Sequence, residues 1–562
     1  MKLDSHHISQ VAALAFTALF LATAAVSAEQ DDGPMIRSLI AKAVSEKQTS
    51  VRIPAGKYIV KADPEKPAAH LYLGNIRNLE IDATGVELIC KDFYTTSGIV
   101  LFQCENVTLK GFTIDADPVL FTQGKIAAIG PGSTYYDLKV DEGYTNDTAR
   151  LANPRPMNVF DPKTLLWKNG VADVYINKLE RLENGHLRVW GKQPYPTYAI
   201  SVGDPAVVPL FSGSCGITAR QCKDLTYDHV TIYQAGVMAF HEHGGAGNTT
   251  LLNCLVDRRP DSGRLISSNA DGFHCKNMRK GPAVINSTFR FMHDDGINIH
   301  GNFGFVLEAP GSGNEYSIFS DQELKVGDTV IFMKNGISTP LGNAKILAFK
   351  PLPTLSKKQL AEWRDAFYVG GNPVTVTLDR AIPATRGDGF ISLSASGMRF
   401  MIRGCTFGPL RYRGMLLQTW NGVVDHNEIL GTGREGIVLE GASRGEGPYC
   451  HNVAILDNTL RDIGAFPNGG NGIDCTTVIS SPSESPENPG ISHSGILIQN
   501  NKFTNTKAHG IRVVRASNMI IDGNQFEKIG ANNPEPKPVE PVLVEESENI
   551  FLSGNTNEGA AY

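Results

Sequence analysis

Asp425-His426-Asn427-Glu428-Ile429, Leu456-Asp457-Asn458-Thr459-Leu460, Gln499-Asn500-Asn501-Lys502-Phe503 and Asp522-Gly523-Asn524-Gln525-Phe526 are four copies of one short unit. In each, a polar bend holds an asparagine, and an apolar residue follows two positions later. Leu252-Asn253-Cys254-Leu255-Val256, Ile285-Asn286-Ser287-Thr288-Phe289 and Arg403-Gly404-Cys405-Thr406-Phe407 repeat the unit with a small residue where the asparagine stands. Asn427, Asn458, Asn501, Asn524 and Asn555 thus fall at one equivalent bend. Asparagine tolerates the left-handed backbone that such a bend needs, and its amide reaches toward the next copy. A ladder of this kind predicts a solenoid.

A second unit follows each bend: one residue, then Gly, then an apolar residue that opens a strand. The copies are Asp271-Gly272-Phe273, Asp295-Gly296-Ile297, Arg413-Gly414-Met415, Glu435-Gly436-Ile437, Asn471-Gly472-Ile473 and His509-Gly510-Ile511, with Ala235-Gly236-Val237 as an earlier member. Gly272 and Gly296 are 24 residues apart and Gly414 and Gly436 are 22 apart, the length of one coil of a parallel β-helix. Stacked coils place equivalent strands about 4.8 Å apart, so Asp271 and Asp295 are expected as vertical neighbours. Upstream, Pro34 to Glu46 reads as an amphipathic helix followed by Val51-Arg52-Ile53-Pro54-Ala55-Gly56-Lys57-Tyr58. A helix leading into such a strand resembles the start of the pectate-lyase-like β-helix superfamily, in which the helix caps the open end of the core.

The expected fold class is therefore all-β: a right-handed parallel β-helix with an N-terminal capping helix and two inserted β-barrel-like modules. Phe121 to about Leu210 and Phe303 to about Leu393 lack the ladder, and each contains a Val-Gly-Asp step, Val202-Gly203-Asp204 and Val326-Gly327-Asp328. The expected division is a signal peptide at 1–28, cap and first coils at 29–120 and an inserted module at 121–210. Coils carrying the acids at 211–302, a second module at 303–393 and C-terminal coils at 394–562 complete it.

Composition narrows the class of partner. The 562 residues carry a net charge of −6, too acidic to bind nucleic acid through a bulk basic field. The 57 glycines are about 10% of the chain against a usual 7% or so, as in turn-rich β proteins. Val11 to Val26 is an apolar and small-residue run ending in Val26-Ser27-Ala28, the pattern of a secretory signal cleaved after Ala28. A periplasmic or secreted protein follows, with no membrane span beyond that segment. In an oxidising compartment the nine cysteines cannot all pair. Cys215 and Cys222 flank a short Gly-containing loop that admits a bridge, and no cysteine or histidine spacing matches a zinc site.

Strand alternation assigns the faces. The first and third residues after each Gly (Phe273 and Cys275, Ile297 and Ile299, Leu417, Leu439, Cys475, Val513) point to the core. His274, Lys276, Asn298, His300, Gln418, Glu440, Asp474 and Arg512 then face solvent, on the surface that floors a saccharide groove in enzymes of this architecture. Asp271 with Asp294-Asp295 puts three acids at the mouths of adjacent coils. Such acids perturb one another, which is how one carboxyl stays protonated beside an ionised one. An inverting glycosidase separates its acid and base by roughly 6.5–9.5 Å to admit a water. Asp294, one residue before the stacked position, is expected to project differently and reach that distance. Three clustered carboxylates are also a donor set for calcium.

Asp257-Arg258-Arg259-Pro260-Asp261-Ser262-Gly263-Arg264, Asn269-Ala270-Asp271-Gly272-Phe273-His274 and Asp294-Asp295-Gly296-Ile297-Asn298-Ile299-His300-Gly301 together resemble glycoside hydrolase family 110. That family comprises inverting exo-α-1,3-galactosidases on a β-helix with inserted β-barrels. Gly272 and Gly296 stand where its pattern leads one to expect Ala. The resemblance implies catalytic roles for Asp271, Asp294 and Asp295 and an α-linked terminal galactose, and with the need for a water between acid and base it implies inversion. Asp294 is the expected general acid, with Asp271 and Asp295 positioning and deprotonating the attacking water, and no metal cofactor is expected. His274, Asn298 and His300 are the expected substrate contacts, with Arg258, Arg259 and Arg264 shaping the wall beside them. Exo action is expected from modules that wall off one end of the groove.

Two other readings remain open at this level. Polygalacturonases share the Asn-x-Asp step and an Asp-Asp pair one coil apart, but also need Gly-His-Gly and Arg-x-Lys. This chain offers His509-Gly510 and Arg512 without completing either motif. A non-catalytic carbohydrate-binding or adhesive β-helix is the reading from another class, and it has no need of three clustered acids.

Overall fold

The computed structural model describes residues 30–192, 199–310, 313–334, 339–354, 356, 371–441, 445–467, 470–477, 492–531 and 538–561. The expected signal peptide lies outside them. No described helix is long and apolar enough to cross a membrane.

Apolar residues two apart, punctuated by left-handed bends, stack into coils as the repeats require. One sheet runs in chain order through Ala69–Gly74, Ser97–Phe102, Ile217–Arg220, Phe240–His243, Phe273–Lys276, Ile297–Asn302, Met415–Gln418, Ile437–Gly441, Ile473–Thr477, Ile511–Val514 and Val542–Glu545, all parallel. A second, larger sheet carries the other sides of the same coils. Phe273, Cys275, Ile297, Ile299, Leu417, Leu439, Cys475 and Val513 all lie in one continuous core. Phe289 stacks on Phe407 at 5.3 Å and Phe503 on Phe526 at 4.8 Å inside it. Each such pair adds about 0.5–1.5 kcal/mol beyond area burial. The helix Gly33–Ser45 sets Ile36, Ile40 and Ala43 against this core, an i, i+4, i+7 stripe that closes its N-terminal end.

The asparagine ladder forms. Asn458 Oδ1 accepts from Asn427 N and Nδ2, both at 2.9 Å, and the pattern repeats from Asn458 to Asn501, Asn501 to Asn524 and Asn524 to Asn555. Cys405, Ser287 and Cys254 continue the column. The left-handed residue, however, is the one before each asparagine: His426, Asp457, Asn500, Gly523 and Gly554 have φ of 54°, 54°, 58°, 66° and 62°. The ladder asparagine faces inward, and its neighbour makes the turn.

The glycine column is also real, with one shift of register. Phe240–His243 pairs with Phe273–Lys276, so Ala239, not Gly236, stands where Gly272 stands one coil later. Gly236 serves another purpose, since a Cβ there would meet Ser212 Oγ at 1.8 Å. A Cβ on Gly272 would lie 2.6 Å from the Gly296 carbonyl oxygen, so this column is glycine because the coils approach too closely for a side chain.

The two stretches without the ladder are antiparallel. Phe303 onward forms a closed six-stranded barrel in the order Gly304–Glu308, Glu315–Ser320, Asn372–Leu378, Thr339–Pro351, Thr329–Lys334, Gly389–Ser392, around a core that includes Val306, Tyr316, Phe332 and Phe390. The earlier stretch is a six-stranded sheet with its own core; among the described residues it does not close on itself, unlike the barrel expected there. Both Val-Gly-Asp steps make the same turn. Gly203 and Gly327 have φ of 97° and 90°, and Asp204 and Asp328 accept from the backbone N–H three residues back.

All nine cysteines are free and buried. Cys215 and Cys222 flank the strand Ile217–Arg220, and at about 3.3 Å per residue that extended run separates them well beyond bridging distance. Cys222 instead stacks on Cys104, whose N–H lies 3.4 Å from its sulfur.

Candidate active site

Coil stacking brings the three acids together. Gly272 N donates to Asp295 O at 2.9 Å and Ala239 N to Asp271 O at 2.9 Å, which fixes Asp271 and Asp295 in one vertical column. Arg413, Glu435, Asn471 and His509 follow in that column, each one coil further on. One carboxylate oxygen from each of Asp271, Asp294 and Asp295 lies within 4.8 Å of the others. That is tighter than the acid–base separation expected from the sequence, because Asp294 turns back toward the stacked pair.

Each acid has a different neighbour. Asp294 accepts from Arg155 Nη2 at 2.8 Å and has Arg411 Nη1 at 3.8 Å. Asp295 accepts from the Arg413 backbone N–H at 3.1 Å and has Arg413 Nη1 at 3.5 Å. Asp271 Oδ2 contacts His274 Nδ1 at 2.7 Å. Burial, with the charge of Asp294 added, pushes the Asp271 carboxyl well above the usual range. Burial does the same to Asp295, against the pull of Arg413.

The outer polar row is where alternation puts it but is not exposed as expected. Asn298, His300, Gln418, Glu440 and Asp474 are all buried. The reason is cover: Glu446–Gly447 pairs with Gly301 and Asn302, Asp321 of the barrel accepts from Asn302 at 2.6 Å, and Arg155 crosses from the first insert. His274 and His300 face each other, Nε2 to Nε2, at 3.0 Å. Asn298 donates to Glu446 at 3.4 Å, and its Oδ1 has no partner among the described residues. Burial lowers both imidazoles to about 4.

The predicted arginine wall is elsewhere. Arg259 pairs with Glu87 and Asp115, Arg264 donates to Asp115 at 2.6 Å, and Arg258 stacks on Phe291 at 3.5 Å. Arg259 and Arg264 bind the 257–264 loop to the first coils, and Arg258 holds it to Phe291 and to Leu165 O of the first insert. The arginines at the acids are Arg155, Arg411 and Arg413. Arg413 was legible, since it occupies the Asp295 position one coil later. Arg411 is set by Asp173 of the first insert, which accepts from its Nε at 2.8 Å and from Nη2; Asn158 donates to Asp173 at 2.7 Å. No spacing rule joins residues 155 or 173 to the coils, so neither was found. Glu446 was missed for the same reason. A cavity of about 600 Å³ lies between the first insert and the early coils, lined by Tyr94, Phe121, Tyr144 and Arg150, and none of the three acids lines it.

No protein-family profile matches the chain. Among curated proteins, α-1,3-galactosidase A of Shewanella woodyi is 23% identical over 93% of this chain and 87% of its own length. α-1,3-Galactosidase B of Bacteroides thetaiotaomicron is 23% identical over 87% of this chain and 80% of its own. The chain is similar to curated α-1,3-galactosidases over most of its length. The likeness to these galactosidases runs through coils and inserts alike, since it leaves out so little of either chain. Among solved structures, an exopolygalacturonase of Thermotoga maritima superposes with a TM-score of 0.39 at 12% identity, covering 92% of this chain and 87% of that one.

Proposed function

We propose that this chain is an exported glycoside hydrolase that removes terminal α-linked galactose from an oligosaccharide or polysaccharide with inversion at the anomeric carbon. The observation that carries this reading is the meeting of Asp271, Asp294 and Asp295 within 4.8 Å, in a chain whose relatives over most of its length are named α-1,3-galactosidases. Three carboxyls suffice for the chemistry: one protonates the leaving oxygen while a stacked pair holds and deprotonates a water. Asp294 is assigned the acid role because it is the least buried of the three, with 22% of its side chain exposed. Asp271 and Asp295, one above the other, hold the water; inversion rests on the resemblance to glycoside hydrolase family 110 and not on the spacing of the acids. No step calls for a metal. The same close oxygens would suit a hard cation, so a chelator-treated sample belongs among the assays.

Exo action is supported by the two inserts, proposed as modules 121–210 and 303–393, which reach the coil carrying the acids through Arg155 on Asp294 and Asp321 on Asn302. Export is supported by the apolar run before Ala28. The test is incubation of the mature chain with α-1,3-galactose-capped oligosaccharides and with polygalacturonate, following the first anomer by proton NMR. β-Galactose appearing first is the expected result. α-Galactose first would remove inversion, and cleavage of polygalacturonate alone would replace the substrate.

A further inference from the structure

One backbone carbonyl fixes a tautomer, and the constraint passes through two rings to Asp271. His300 Nδ1 lies 2.9 Å from Gly301 O. A carbonyl only accepts, so this nitrogen carries hydrogen, and Nε2 of a neutral His300 is a bare acceptor. Nε2 faces His274 Nε2 at 3.0 Å, so His274 donates there and its Nδ1 is bare in turn. That bare nitrogen sits 2.7 Å from Asp271 Oδ2. A lone pair and an ionised carboxylate repel at that distance, so the contact needs one proton.

The charges around the stacked pair agree. Asp295 meets Arg413, whereas Asp271 has no Lys or Arg ion-pair partner among the described residues. The groups that face Asp271 and its two imidazoles are Asp294 and Asp295 from the next coil, Arg155 from the first insert, Glu446 from the covering segment, Asp321 from the barrel, and Lys276, His241 and His243 along the sheet. The competing arrangements move the same proton to His274 Nδ1, or on to His300 Nε2, which would then donate to His274 Nε2 at 3.0 Å; each charges a buried imidazole and leaves Asp271 ionised beside the other two acids.

We propose that His300, acting through His274, keeps a proton on Asp271, so that Asp271 positions the attacking water as a neutral acid while Asp295 alone deprotonates it. The inference rests on the hydrolase reading above for its catalytic meaning. In the step, a water O–H breaks, its oxygen bonds to the anomeric carbon and its proton goes to Asp295. The glycosidic C–O bond breaks, and the leaving oxygen takes the proton of Asp294. The proton on Asp271 stays in place. His274 and His300 are positioning residues in this scheme.

Asparagine mimics a neutral aspartate: its amide N–H donates to His274 and its carbonyl accepts from the water. Asp271→Asn is therefore expected to lose less of its rate than Asp295→Asn, which loses about 10²–10⁴-fold. Equal losses in the two variants would overturn the proposal. Infrared spectra of the full mature chain labelled with ¹³C-aspartate read the proton directly. A protonated-carboxyl band, assigned to Asp271 by its absence from Asp271→Asn, is expected at neutral pH. His300→Asn keeps an N–H for Gly301 but removes the acceptor facing His274, which frees that ring to donate to Asp271. The band should then vanish at least about one pH unit lower, a tenfold loss of proton affinity. Absence of the band at neutral pH, or its indifference to His300→Asn, would also overturn the proposal. Should the natural chain hydrolyse no α-galactoside, the hydrolase reading fails while the spectra still decide where the proton is.

Discussion

Arg155 Nη2 donates to Asp294 Oδ2 at 2.8 Å, joining a residue of the first insert to the coil that carries the acids. The same side chain lies over the Phe211 ring at 5.2 Å and donates from Nη1 to Asn269 O. Arg155→Met keeps the apolar stem and removes the charge. Misplacing one reacting group by an ångström costs about a hundredfold in rate. A loss of kcat/KM of about 10- to 100-fold with a nearly unchanged thermal midpoint is expected. An unchanged rate would reduce the insert to a cover.

The pair Asp173–Arg411 ties the same insert to the coils from within the protein, with both side chains nine-tenths buried. Asp173→Ala leaves a buried guanidinium without its main partner, a change that costs about 3–5 kcal/mol. The free energy of unfolding in denaturant should fall by that much, and Asp173→Asn, which still offers an oxygen to Arg411, should lose less. Since Arg411 also sits 3.8 Å from Asp294, activity should fall with stability in both.

Asn458 is the clearest test of the ladder. It is buried, donates to Val424 O at 3.0 Å and to Asn501 Oδ1, and accepts from Asn427 N. Asn458→Ala orphans a buried N–H and a buried carbonyl, each worth about 1–3 kcal/mol. A loss of about 3 kcal/mol in urea unfolding is expected. The exposed left-handed neighbour Asp457 should accept Gly with little loss, because only its backbone conformation is demanded.

What was legible follows from the same contrast. Repeats encode whatever recurs along the chain, so the coils, the inward asparagines and the Asp271–Asp295 stacking could all be read from spacing. The residue that turns left was misassigned because asparagine suits both jobs, and Asn500 with Asn501 shows one of each. Ala235-Gly236-Val237 misled because a glycine chosen to clear Ser212 looks the same in sequence as one chosen to clear a carbonyl. His274, Asn298 and His300 were placed on the correct face but thought exposed, since alternation says which way a side chain points and nothing about what covers it. Arg155, Asp173 and Glu446 come from segments outside the repeat, so no period relates them to the acids.

Glu242 predicts a pH dependence of stability. It points into the solenoid core, where burial raises its pKa from 4.5 to about 7, with Tyr227 OH donating weakly at 3.4 Å. Between those values the folded chain holds a proton that the unfolded chain has lost. The contribution of this group to stability is therefore fully present below about pH 4.5 and is lost as pH rises to about 7. At 1.36 kcal/mol per unit the loss is at most about 3 kcal/mol. Glu242→Gln should flatten that decline and melt higher than the natural chain at pH 8. A parallel pair of pH–stability curves would show that Glu242 is not the group responsible.

Asp294 can be tested as the general acid without knowing the natural aglycone. A sugar leaving group departs as an alkoxide unless it is protonated, whereas a nitrophenolate is stable as an anion and needs no proton. Removing the acid therefore slows the first substrate and largely spares the second, while removing the base slows both, because each still needs an activated water. Asp294→Asn is expected to lose about 10²–10⁴-fold on an α-1,3-galactosyl disaccharide, and to retain most of its rate on nitrophenyl α-galactoside. Asp295→Asn should lose a comparable factor on both. Equal impairment of Asp294→Asn on the two substrates would take the acid role from it and leave it as the carboxylate through which Arg155 and Arg411 position the sugar. The two stacked acids would then have to divide acid and base between them.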